Sequence, residues 1–275
     1  MGASAEDIRR PCHNARMSVR TVRVTRYVTP LREGGSLPAI VEADDDGMYV
    51  VKFRGAGQGA RALVAELLSG EIARALGLPV PEIVFAELDP DLARTEPDPE
   101  ISALIRASAG VNLALDYLPG SVMFDPVVEG PAADLASRVV WFDAYVTNVD
   151  RTPRNTNMLM WHRRLWLIDH GASLYFHHTA GWETEPDRAH GAFPLIKDHV
   201  LLRRAELLPQ IDEELASRLT PEVIAGILDL VPDAWLVGEM ATDAGRARSA
   251  YRQYFTQRLS APRAFVEEAI RVRRA

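Results

Sequence analysis

A single cysteine, Cys12, stands among the 275 residues, so an intramolecular disulfide framework is excluded and a cysteine-based zinc site has no partners. No apolar run approaches the roughly 18 residues of a membrane span. The N-terminal stretch likewise lacks the apolar core of a secretory signal. Basic excess is missing too: a net charge of -7 and a pI near 5.6 give no support for a general nucleic-acid binder. No segment repeats, and no linker is long enough to set off a third domain. What remains is ordinary for a soluble globular protein, 25% charged and 47% hydrophobic, with length enough for a sizeable core. A cytoplasmic enzyme or binding protein is the expectation.

The most informative stretch runs from Tyr145 to Gly171. Two short apolar runs, Met158 to Trp161 and Leu165 to Ile168, flank His162-Arg163-Arg164 and predict a tight β-hairpin. A turn near Arg163 returns Asp169 beside Asn157 and Asn155, with Asp150 on the loop leading in. One carboxylate with one or two amide carbonyls is an oxygen-only set suited to Mg²⁺, which takes its other ligands from phosphates and water. An Asp five residues before the amide is placed to accept the proton of an attacking hydroxyl, as phosphoryl transfer requires. Asn and Asp also crowd turns for local hydrogen-bonding reasons, so the pattern alone leaves a plain inter-strand turn open.

The first sixteen or so residues are polar and mixed, predict disorder, and leave Met17 as a candidate start. Alternating apolar positions predict strands over Val19–Val28, Leu37–Val41 and Met48–Phe53, the last two joined by an Asp-Gly turn, and further strands over Ile83–Leu88 and Val111–Leu118. Lys52 falls within a strand expected to be largely buried, where an ammonium needs an anionic partner; a solvent-facing lysine is the alternative. A helix over Arg61–Leu76, stopped by Gly77, offers Glu66 as that partner, better placed than Glu71. Gly55, Gly57 and Gly59 lack the βαβ context of a dinucleotide fingerprint and read as a flexible connection. Asp89 to Glu100, rich in Pro, Asp and Glu, reads as an exposed loop.

Taken together, Tyr49-Val50-Val51-Lys52-Phe53-Arg54-Gly55, Glu66-Leu67-Leu68, Leu76-Gly77-Leu78-Pro79-Val80-Pro81, Asn148-x-Asp150-Arg151-x-x-x-Asn155-x-Asn157 and Ile168-Asp169-His170-Gly171 resemble the HipA-like protein kinases over about Ser36 to Leu201. The resemblance implies an α+β, bilobal protein-kinase-like fold: a disordered extension over 1–18, a β-rich N-lobe with one helix over 19–118, and a larger helical C-lobe over 119–275. It implies transfer of the γ-phosphate of Mg-ATP, with ATP and Mg²⁺ as cofactors, to Ser or Thr of a protein. Lys52 resembles the phosphate lysine and Glu66 its helix partner, Asp150 the catalytic base, and Asn155 and Asp169 the Mg²⁺ ligands, with Asn157 a further candidate. Asp116-Tyr117-Leu118 resembles the hinge that binds adenine. Gly34-Gly35-Ser36 lies where a phosphate-covering loop belongs, although it is short and is not Gly-x-Gly-x-x-Gly. Arg151 and Arg154 flank the base and are candidates to neutralise the transferring phosphate, or else solvated loop charges.

Asp150 follows Asn148-Val149, not His-Arg, His170 stands where Phe is usual, and no Ala-Pro-Glu follows. The acceptor is therefore open: a lipid or small-molecule kinase and a non-catalytic pseudokinase module share these motifs, and a cognate regulatory protein is a possible partner. His177-His178, His190 and His199 have no zinc-like spacing; Asp198-His199 is a candidate for the acceptor side of the cleft. Ser137–Tyr145 predicts a helix beneath the Asp150 loop. Further helices are predicted from Thr220-Pro221 to Leu230, over Asp243–Leu259, and over Pro262–Arg273 with Ser260 as cap. Arg271 to Arg274 read as a solvated helix end or an anion contact.

Overall fold

The computed structural model describes residues 18–31, 37–57, 59–94, 96–128, 130–179, 181–238 and 243–275. Gly34, Gly35 and Ser36 and the stretch 1–17 lie outside the described residues. Alternation of apolar and polar side chains makes strands of β1 (Thr21–Pro30), β2 (Ala39–Ala43) and β3 (Met48–Lys52). With β4 (Ile83–Leu88) and β5 (Gly110–Asp116) they form a closed barrel in the order β1-β2-β3-β5-β4. Closure depends on a short parallel pairing, Thr21 with Phe85 and Val22 with Ala86, while the other pairs are antiparallel. Val22, Val24, Val41, Val51, Val84 and Ala114 fill the barrel.

Between β3 and β4 runs α1 (Gly59–Ala75), which is buried almost all round. Glu66, Ser69, Gly70 and Glu71 are as buried as its leucines, because the helix packs on β5 to one side and on later helices to the other. Gly77, at φ +78°, ends it: Leu78 N–H reaches Ala73 O at 2.9 Å and Gly77 N–H reaches Arg74 O at 2.9 Å. Arg218 Nη1 donates to the freed Leu76 carbonyl at 2.9 Å.

Two sequence readings are corrected in this half. The connection expected to be flexible is pinned at Gly55, whose N–H donates to Ser108 Oγ at 3.0 Å and where a Cβ would lie 2.9 Å from Ala107 Cβ, while Gln58 lies outside the described residues. The stretch expected as an exposed loop holds a 3-10 turn, Pro90–Arg94, and the start of α2 (Pro99–Ala107). Its polar residues are helix-start chemistry: the Asp98 side chain accepts from the Glu100 amide at 2.9 Å, and Pro99 needs no donor there. Ile101 and Ile105 then close one end of the barrel.

The remainder is built on α3 (Ala133–Tyr145), with Trp141, Phe142 and Tyr145 fully buried. A small sheet of β6 (Val122–Met123), β7 (Met158–Trp161) and β8 (Arg164–Leu167) lies beside it. The β7–β8 turn is His162-Arg163, at φ +47° and +62°, a two-residue turn whose twist suits a hairpin. Of the later helices, α4 (Leu208–Arg218) and α8 (Ala264–Arg274) pack on α3, while α5 (Pro221–Asp229) and α6 (Asp233–Leu236) pack on α1 and on α7 (Ala244–Arg258). Thr220 and Asp243 cap α5 and α7 through Val223 N–H and Arg246 N–H. The cap expected at Ser260 is not made: the residue that caps α8 is Arg263, which makes no side-chain cap bond but reaches Asp212 at 2.9 Å. Arg258 of α7 is buried, and its Nε and Nη2 donate at 2.9 Å to the Tyr145 and Ala144 carbonyls, finishing α3 where the Asp150 loop begins.

Gly77→Ala places a Cβ at positive φ, where an L side chain is strained, and is expected to cost about 1 kcal/mol. A urea midpoint shifted down at constant slope checks this; no shift contradicts it.

Candidate active site

Lys52, on the last residue of β3, is aimed across the barrel mouth at two carboxylates from different parts of the chain. Its Nζ lies 2.6 Å from Glu66 Oε2 on α1 and 2.5 Å from Asp169 Oδ1 after β8. Burial opposes the ammonium charge, but Glu66 and Asp169 outweigh it and hold Lys52 above its ordinary value. The two acids differ. Glu66 is fully buried, and burial raises its carboxyl against the pull of Lys52. Asp169 has a side chain 49% exposed, and Lys52 holds it below the usual carboxylate range, helped by the Gly171 amide. Glu71, the rejected candidate, pairs with Arg74 at 3.2 Å.

The Asp150 loop is shaped by its own side chains. Asn155 Nδ2 and Asn157 Nδ2 donate to Asp150 Oδ2 at 2.7 and 3.2 Å, and Asn148 Oδ1 accepts from the Asp150 amide at 3.0 Å. A carboxylate only accepts, so both amides must turn their nitrogens to it, which turns their oxygens away. Asn157 is buried and Asn155 exposed, so only Asn155 presents its Oδ1 to solvent. Thr147, Asn157, Asp169 and Leu174 all hold left-handed backbone, φ +53°, +47°, +54° and +54°. For a β-branched Thr this is a costly conformation, of the kind that concentrates at functional loops.

Arg151 ties these loops together, which differs from its expected role at the phosphate. It is 1% exposed. Its Nε donates to Asp143 Oδ2 at 2.6 Å, Nη1 donates to the Asn157 carbonyl, and Nη2 donates to His170 Nδ1 at 3.1 Å. The guanidinium is thus spent inside the protein. Arg154 is exposed on the same loop. Asp143 completes the buried cluster, accepting also from Asn148 Nδ2 at 2.8 Å and from His199 Nε2 at 2.8 Å. The Leu201 amide donates to His199 Nδ1 at 3.0 Å, so that ring's proton sits on Nε2. Burial works against its charge, yet Arg151 and His199 hold the Asp143 carboxyl well below the usual range.

Asp116 ends β5, and the Tyr117 amide donates to Met48 O at 3.0 Å, so that amide is engaged. The Leu118 amide has no hydrogen-bond partner among the described residues. His177 is buried 2.8 Å from Tyr251 Oη, and the described residues contain no His/Cys/Asp/Glu group able to hold a metal on its own.

The family model described as HipA-like kinase matches residues 24–253. The chain belongs to that family. This HipA-like kinase is also similar in structure to the Helicobacter pylori proinflammatory kinase CtkA: 13% identity, TM-score 0.50, covering 92% of this chain and 98% of that one. The Golgi casein kinase solved with Mn/ADP aligns at 12% identity and TM-score 0.46, over 88% of this chain and 73% of that one. A search of the curated proteins finds no match. Family membership supports kinase activity in general, and with it use of a nucleotide.

Asp143 escaped the sequence reading: an acid inside an apolar helix is indistinguishable locally from a surface charge. His199, a candidate for the acceptor side of the cleft, is instead buried against Asp143. His170 and His177 carry a measurable consequence. Burial holds each at about 3, against an ordinary 6.5. Below pH 6.5 the unfolded chain takes up protons that the folded chain refuses, so stability falls as pH drops towards 3. Between pH 6.5 and about 5, above the carboxylate range, the urea midpoint of the parent is expected to fall, and that of His177→Phe to fall less steeply. Equal slopes would contradict the assignment.

Proposed function

We propose that this HipA-like kinase transfers the γ-phosphate of Mg-ATP to a Ser or Thr hydroxyl of a protein. The barrel and the helical part act as the two lobes, 19–118 and 119–275, joined at the Asp116-Tyr117-Leu118 hinge. The observation that carries the reading is the convergence of Lys52 on both Glu66 and Asp169, together with an Asp150 whose Oδ1 has no partner among the described residues.

Lys52, steadied by Glu66, binds the nucleotide's phosphates, and the free Leu118 amide is the backbone donor for adenine. Gly34-Gly35-Ser36 remains the candidate cover for the phosphates. The donor set fits Mg²⁺: Asp169 offers a half-exposed carboxylate and Asn155 an outward amide oxygen, all hard ligands. When bound, the ion neutralises charge on the β- and γ-phosphate oxygens. Asp150 accepts the acceptor's hydroxyl proton on Oδ1 while Asn155 and Asn157 fix Oδ2. The hydroxyl oxygen bonds to the γ-phosphorus as its bond to the bridging oxygen breaks and ADP leaves. Among the described residues no helix is long and apolar enough to cross a membrane; we place the enzyme in the cytoplasm.

Labelled γ-phosphate transfer into cell lysate tests this. Asp150→Asn is expected to lower transfer roughly 10²- to 10⁴-fold while keeping the thermal stabilisation by Mg-ATP; Asp169→Asn is expected to lose both. Label on Ser or Thr supports the reading. Label confined to a small-molecule fraction, or full transfer by Asp150→Asn, overturns it.

A further inference from the structure

Beside the Asp150 loop lies an open groove of about 1160 Å³ whose walls come from three distant segments: Thr152-Pro153-Arg154, Lys197 to Arg203, and the end of α8. Four cations line it, Arg154, Lys197, Arg203 and Arg273, and Asp198 is the one acidic side chain there. None of the four has an ion pair or hydrogen bond among the described residues. Arg20, Arg138, Arg218 and Arg263, by contrast, each reach acids. In a chain of net charge -7, four such cations lining one groove are a local concentration of positive charge.

The groove is also fixed relative to the candidate base. Val200 N–H donates to the Arg151 carbonyl at 3.0 Å, and His199, a residue of the groove wall, bonds Asp143 beneath the loop. Whatever occupies the groove is therefore held in register with Asp150.

Resting on the kinase reading above, we propose that this groove docks an acidic peptide segment flanking the acceptor Ser or Thr. Its volume exceeds the roughly 300–1,000 Å³ of small-molecule sites, which fits an extended chain rather than a lone anion. Val200, Leu202 and Val272 supply apolar wall between the cations, as a peptide backbone and side chains need. No Phe, Tyr or Trp lines it, so the stacking platform typical of single-stranded nucleic-acid binding is missing. Electrostatic complementarity of this kind selects partners and speeds encounter.

The test uses the full chain and two fluorescein-labelled peptides, a serine flanked on both sides by three glutamates and the same serine flanked by glutamines. Anisotropy without nucleotide is expected to give about tenfold tighter binding of the acidic peptide at low salt, fading as salt rises. The Lys197→Glu/Arg203→Glu variant is expected to lose that preference while its stabilisation by Mg-ATP stays unchanged, and in turnover the KM for the acidic peptide rises with kcat held. Equal binding of the two peptides, an unaffected variant, or stronger binding of a single-stranded RNA oligomer overturns the proposal. Because anisotropy needs no turnover, a retained acidic preference without phosphate transfer would strike the kinase reading and spare the groove.

Discussion

A single buried ion pair, Arg151 with Asp143, fixes where everything else in the cleft stands. Both side chains are inaccessible to water, so the charges are affordable only because nearly every donor and acceptor is met. The Asp143 oxygens take Arg151, Asn148 and His199; Arg151 reaches onward to the Asn157 carbonyl and to His170. Removing one member of such a pair leaves an uncompensated buried charge, typically costing about 3–5 kcal/mol. The pair therefore acts as a registration pin between α3, the Asp150 loop, the residue after Asp169 and the segment that walls the basic groove.

The backbone strain follows from that pin. Asn157 and Asp169 are both left-handed, and the Asn157 carbonyl receives Ile168 N–H at 3.1 Å as well as Arg151. Packing over-determines these residues and holds them in conformations they would not choose alone. On the opposite side Lys52 enters from a barrel closed by pairing between β1 and β4, so its position too is set by elements distant in sequence.

Local pattern carried much of this. β4 was readable to its end residues because a run apolar but for Glu87, between Pro81 and Pro90, has few alternatives, and the β7–β8 hairpin because two apolar runs leave only a tight turn between them. Glu66 could be chosen over Glu71 from its place on the helix, and the bond to Lys52 is made. The misses share one cause. Arg151 looks like a loop charge until Asp143 and His199, 56 residues apart, meet behind it. Parallel closure of the barrel leaves no mark on either strand. Asp98 and Pro99 serve turns and helix starts equally, so the short α2 was hidden in a run of loop-like residues.

The most direct measurement of the central claim is a double-mutant cycle for stability on Asp143→Leu and Arg151→Met, with Mg-ATP binding followed in each variant. If the pair is the pin described, the double variant is more stable than the sum of the singles predicts, by at least about 2 kcal/mol, and Mg-ATP binding weakens in all three. Additive losses, with Mg-ATP bound as in the parent, would contradict it.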